Sequence, residues 1–181
     1  VAGKIVQAIA LSHSLKPFQM EMRDEKGTPF LFVQEISPFT PLHYTKFRTL
    51  FPLKIEFLST SGGWYLYRPP TFFRSRFFVK EKDGSVSFQF QPKGFLSTTY
   101  RIYDRSGISI GEGKFSNPFL VGSQKGVVLD RSGRTVVALE WDFSFWGGYK
   151  RGVSVFHEEG DPWWKVGLSF LVLRGILLQQ R

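Results

Sequence analysis

The chain contains no cysteine. That excludes disulfide frameworks, thiolate nucleophiles and Cys-based zinc sites together, and it fits a reducing cytoplasm. Histidine is nearly as scarce. His13, His43 and His157 stand far apart, so no pair shares the short spacing that metal-binding helices use. Acidic residues are few beside basic ones, 15 against 24, which leaves a formal net charge of +9 and a pI near 9.9. There is no Gly-x-Ser-x-Gly elbow and no Walker loop, and Gly111-Glu112-Gly113-Lys114 lacks the spacing of a phosphate cradle. Glu158 and Glu159 are adjacent, so in an extended strand they face opposite ways and make a poor acid/base pair. No Ser/Gly-rich or charged linker divides the 181 residues, which suit one domain with a sizeable core.

Long apolar runs are also missing, with one exception near the end. Asp161-Pro162 reads as an N-cap followed by Pro at the first helical position, and Val166 to Leu178 is apolar almost all round. A membrane span needs about 18–20 apolar residues. This run is shorter and carries Arg174, which at mid-bilayer would cost about 2.5–3.5 kcal/mol. The run is therefore expected to be a helix over about 162–179, buried in protein, and no transmembrane segment is expected. The N-terminal stretch Val1 to Leu11 is too short and interrupted for a signal peptide. Val1 in place of an initial Met allows the chain to be cut from a longer one.

What the chain has in plenty is phenylalanine, 20 residues, within an aromatic share of 17%. Apolar residues alternate with polar ones in Phe18/Met20/Met22, Leu53/Ile55/Phe57, Val86/Phe88/Phe90, Trp141/Phe143/Phe145 and Val153/Val155. A period of two is the mark of half-buried antiparallel strands. Turns of the form Asp-x-x-Gly recur at Asp24–Gly27, Asp104–Gly107 and Asp130–Gly133, with Lys82-Asp83-Gly84 as a shorter relative. Asp accepts backbone hydrogen bonds at the start of such a turn and Gly takes positive φ at its end, so each reads as a hairpin tip. About ten or more short antiparallel strands tend to curl and close. The expected fold is mainly β: one domain over 1–181, a closed antiparallel barrel of about ten to twelve strands enclosing the hydrophobic C-terminal helix.

Three stretches carry a resemblance: Tyr100-Arg101-Ile102-Tyr103-Asp104-Arg105-Ser106-Gly107, Val127-Val128-Leu129-Asp130-Arg131-Ser132-Gly133, and Asp161-Pro162-Trp163-Trp164 leading into Val166–Leu178. They resemble the strand, turn, strand units and closing helix of the tubby-like superfamily, which includes tubby C-terminal domains, phospholipid scramblases and LURP-one-related proteins. The bacterial or LURP-one-like branch fits best, since the cysteine cluster and Pro-rich arm of animal scramblases are missing. The resemblance implies a barrel around a hydrophobic helix. In its tubby branch, basic residues on the barrel bind phosphoinositide headgroups.

The tract from Trp64 to Lys82 holds the best functional candidates. Arg74 and Arg76 share one strand face, and Arg68, Lys80 and Arg101 extend a basic patch, with Lys82, Arg105, Arg131 and Arg134 nearby through the hairpins. Guanidinium forks bind phosphate bidentately. The expected partner is an anionic lipid headgroup or an acidic protein, met by a non-enzymatic binding or scaffolding module in the cytoplasm, peripheral at the membrane. Nucleic acid is not expected, because the aromatics of the tract are economically placed in the core. Two alternatives stand beside this reading. One is a calycin-like carrier of a small apolar ligand, with an open interior and the helix packed outside. The other is an enzyme using the acidic turn at His157, Glu158, Glu159 and Asp161. That turn is better read as the cap of the last helix than as a metal site, and no cofactor is expected.

Overall fold

A computed structural model describes residues 4–10, 19–37, 50–59, 62–72, 76–94, 99–115, 122–144, 148–156 and 161–179. Among them are twelve strands and one helix. The strands are β1 (Lys4–Ala10), β2 (Gln19–Arg23), β3 (Pro29–Glu35), β4 (Leu53–Ser59), β5 (Gly62–Arg68), β6 (Phe77–Glu81), β7 (Val86–Pro92), β8 (Thr99–Asp104), β9 (Ser109–Phe115), β10 (Gly122–Asp130), β11 (Thr135–Ser144) and β12 (Gly148–Phe156). The helix α1 is Asp161–Gln179. Each strand pairs antiparallel with its sequence neighbours, and β1 pairs with β2 on one edge and with β12 on the other. The expected mainly β fold, with an antiparallel sheet and one C-terminal helix, is what the chain adopts.

The alternation read in the sequence sets which side chains turn inward. Met20 and Met22 on β2, Leu53, Ile55 and Phe57 on β4, and Phe90 on β7 are all buried. Phe88 is only partly buried against the same core. Phe18 and Phe145 lie outside the described residues.

The hairpin tips follow one local design. In three of them the Gly amide donates to the Asp carbonyl at 3.0 Å, at Gly27–Asp24, Gly107–Asp104 and Gly133–Asp130. The Asp Oδ1 accepts the amides two and four residues on, as at Ser132 (2.9 Å) and Arg134 (3.0 Å) for Asp130. The glycines have φ of 81°, 77° and 84°, a region that strains any residue with a Cβ. The fourth tip differs from the shorter turn read in the sequence. Gly84 (φ 87°) donates to Glu81, so the turn spans four residues like the others, while Asp83 accepts from Ser85 instead. A one-residue register shift accompanies each tip, at Met22/Arg23, Val79/Lys80, Ile102/Tyr103 and Val128/Leu129.

Even-numbered strands all run toward the end that carries these tips, because neighbouring strands alternate in direction. β12 therefore delivers the chain to α1 at that end. From there the helix runs among the strands. Every residue from Val166 to Leu173 is buried, which explains why this segment needs no polar face. Phe170 stacks on Phe115 of β9 (centroids 4.4 Å, 5° between planes) and meets Tyr100 of β8 and Phe90 of β7. A Cβ at Gly113 would overlap the Phe170 ring, so glycine here makes room for the helix. Trp164 faces Phe30 of β3 (5.8 Å), and α1 also contacts β11 and β12. Ser169 is the polar group in the buried stretch, and it accepts a hydrogen bond from Trp64 Nε1 at 3.0 Å. Among the described residues no helix is long and apolar enough to cross a membrane.

Candidate anion-binding face

Strand phase divides the Trp64–Lys82 tract into two faces. Trp64, Leu66, Phe77 and Val79 point inward and are buried. Their neighbours Tyr65, Tyr67, Phe78 and Lys80 point outward and are partly exposed. The aromatics of the tract are thus shared between core and surface, which corrects the expectation that they belong to the core. Pairing aligns the outward residues across five strands: Lys54 opposes Tyr67, Tyr67 opposes Phe78, Phe78 opposes Gln89, and Gln89 opposes Tyr103. In the adjacent row Glu56 opposes Tyr65 and Tyr65 opposes Lys80.

The cations lean diagonally across these rows. Lys54 Nζ sits 4.3 Å from the centre of the Tyr65 ring, and Lys80 Nζ sits 4.4 Å from that of Tyr67. Each such contact is worth about 0.5–1 kcal/mol at an exposed site, enough to lay the amines flat without neutralising them. Arg76, just before β6, is exposed. It lies one residue from the Phe77–Phe90 pair, at the level of Gln91, which opposes the exposed Arg101. Phe72, in the preceding loop, is 83% exposed.

The five residues singled out in the sequence are not all brought together. Arg76, Lys80 and Arg101 lie on the outer face of β6 to β8. Arg68 does not. It continues the inward phase of Trp64 and Leu66, is 3% exposed, and donates from Nη2 to the Phe51 carbonyl at 3.3 Å. Its expected part in the basic patch is corrected on that ground: the two-residue period that buries Trp64 also buries Arg68. Arg74 lies outside the described residues. Lys54, Tyr65, Tyr67, Phe78 and Tyr103 were not singled out for this face, yet the phase of the buried residues would have found the outward ones in β5.

Acidic groups on this face are engaged. Glu56 accepts from Gln34 Nε2 at 3.1 Å. Glu112, opposite Arg101, accepts from Lys93 at 3.0 Å and lies 3.7 Å from Lys114. The hydrogen bond from Lys93 is the largest influence holding its carboxyl below the usual range. Arg101 consequently meets a carboxylate already shared by two lysines.

Among the described residues no group of three or more His, Asp or Glu is placed to hold a metal ion. His157, Glu158 and Glu159 lie outside them, and the Asp161 side chain is not described. The hairpin aspartates use their carboxylates as turn acceptors, as described above. Comparisons with protein-family models, curated proteins and solved structures find no match for this chain.

Proposed function

We propose that this protein is a non-enzymatic docking module: a closed barrel of the tubby-like class, filled by α1, that rests on an anionic lipid surface through the outer face of β4 to β8. The observation that carries the reading is the aligned outward set Tyr65, Tyr67, Phe78 and Tyr103, interleaved with Lys54 and Lys80 and flanked by Arg76 and Arg101. Tyrosine suits the headgroup level, where its ring meets apolar surface and its hydroxyl meets water. Each cation near an anionic leaflet adds about 1 kcal/mol. Exposed Phe72 supplies an apolar tip beside the patch. The open barrel interior of the carrier alternative draws no support from the packing, because the buried residues of α1 share one core with the inward side chains of the strands.

Co-sedimentation with vesicles tests the proposal. The protein is expected to pellet with phosphatidylcholine vesicles containing phosphatidylserine and to stay in solution with phosphatidylcholine alone. The double substitution Lys80→Glu with Arg101→Glu is expected to abolish pelleting, and Phe72→Ala to weaken it. Equal binding to both kinds of vesicle would overturn the reading. So would vesicle-free binding of an oligonucleotide on the same residues, which would redirect the face to nucleic acid.

A further inference from the structure

At the end of the sheet that carries the hairpin tips, beside the point where α1 enters, lies a cavity of about 790 Å³. Its size falls within the roughly 300–1,000 Å³ of small-molecule sites. Leu31, Trp64 and Leu168 form an apolar floor, and Phe30 and Trp164 form an aromatic wall, with ring centroids 5.8 Å apart and planes tilted by 30°. Gly62 and Gly63, without side chains, also line it. None of these residues belongs to the outer face of β4 to β8.

Four charged side chains line the same cavity: Glu81, Lys82, Asp83 and Lys165. Their formal charges cancel, but their engagements do not. Glu81 accepts from Lys165 Nζ at 2.8 Å and from Ser87 Oγ at 2.6 Å. Burial pushes its carboxyl up, and the hydrogen bonds from Lys165 and Ser87 more than offset that, so it stays ionised. Asp83 accepts from the Ser85 amide (2.8 Å) and hydroxyl (2.6 Å), and Arg105 adds a favourable charge. Lys82 is exposed and has no ion-pair partner among the described residues. Hydrogen bonds from Ser85 leave the Asp83 charge in place, but Arg105 opposes it; with Lys165 paired to Glu81, the charge left over at this mouth is that of Lys82, and the field of a chain with net charge +9 has the same sign.

We infer that this cavity binds a flat aromatic monocarboxylate, with its ring against Phe30 and Trp164 and its carboxylate held by Lys82 and a spare N–H of Lys165. The apolar floor accepts a ring and gives a highly hydrated polyanion little to contact. The single unbalanced lysine matches one negative charge. An organic cation would have to displace Lys165, whose ammonium already lies between Glu81 and the Trp64 ring (5.8 Å).

Three probes of one shape test this by calorimetry on the full chain: 2-naphthoate, neutral 2-naphthamide and 2-naphthylmethylammonium. The naphthoate is expected to bind about tenfold or more tightly than either of the others, as one charge-assisted hydrogen bond requires. Lys82→Gln and Lys82→Glu, at an exposed position in the β6–β7 turn, are expected to erase that preference. Phe30→Ala is expected to weaken all three probes alike. The pair Lys80→Glu and Arg101→Glu is expected to leave naphthoate binding intact, which separates this cavity from the proposed lipid face. Binding of the ammonium probe as tight as that of the naphthoate, absence of binding by all three, or a preference that survives both Lys82 substitutions would each overturn the inference.

Discussion

Asp130 shows how much one turn side chain organises. Its carboxylate accepts the Ser132 hydroxyl (2.6 Å), the Ser132 and Arg134 amides, and Arg134 Nε (3.0 Å). Led by the Ser132 hydroxyl, these hold its carboxyl down at about 2 from an ordinary 3.8. A depressed folded-state value means the unfolded chain binds a proton first as pH falls. The stabilisation is thus fully present above about pH 4 and is lost as pH falls toward 2. In urea melts the gap between the native chain and Asp130→Ala is expected to be constant at pH 5–7 and to narrow across that window. A gap independent of pH would show that the carboxylate's charge contributes nothing. At Gly113 the limit is space. Gly113→Ala is expected to destabilise the fold by about 1–3 kcal/mol, the usual cost of overpacking, because the new methyl overlaps the Phe170 ring.

The helix illustrates what an element can ask of its surroundings. Apart from Ser169 it is apolar on every side from Val166 to Leu173, and this buried stretch depends on the strands around it. Phe170→Ala is expected to cost about 3–5 kcal/mol, since the ring is fully buried against Phe90, Tyr100 and Phe115. That is a large part of the roughly 5–15 kcal/mol that holds a domain folded, so the melting temperature should fall by many degrees. Ser169 tests the polar seam. Ser169→Ala leaves the Trp64 indole N–H buried without its acceptor, at an expected cost of about 1–3 kcal/mol. In a double-mutant cycle with Trp64→Phe most of that cost should vanish, because the donor is then gone as well. By contrast the Lys165–Glu81 pair is part-exposed, and Lys165→Met is expected to change stability by less than about 1 kcal/mol.

At the scale of the molecule, the sheet offers two separate chemistries. The outer face of β4 to β8 is broad, basic and aromatic. The cavity beside the entry of α1 is small, walled by aromatics, and close to neutral apart from Lys82. Raising salt from about 0.05 to 0.5 M shortens electrostatic reach from over 10 Å to a few ångströms. Vesicle binding through the outer face should fall steeply over that range, whereas naphthoate binding in the cavity should fall only modestly because its ring contacts are indifferent to salt. A parallel loss of both activities would mean that one surface serves them.

Much of the local structure was legible because it depends on near neighbours in the chain. Asp-x-x-Gly turns close through bonds within five residues, as at Asp104–Ile108, and an alternating run such as Leu53/Ile55/Phe57 states its own buried face. An apolar helix opened by Asp161-Pro162 likewise announces its need for burial. Other features depend on what stands across the sheet. Arg68 reads as a surface cation until β5 is seen to turn its even-numbered positions inward, and Tyr65 and Tyr67 read as core until the same phase turns them out. The cavity joins β3, the β4–β5 and β6–β7 turns and α1, segments separated by as many as about 135 residues. Composition and period fix which residues must leave water. Only the pairing of distant strands fixes which of the remaining charges and rings come to share a surface.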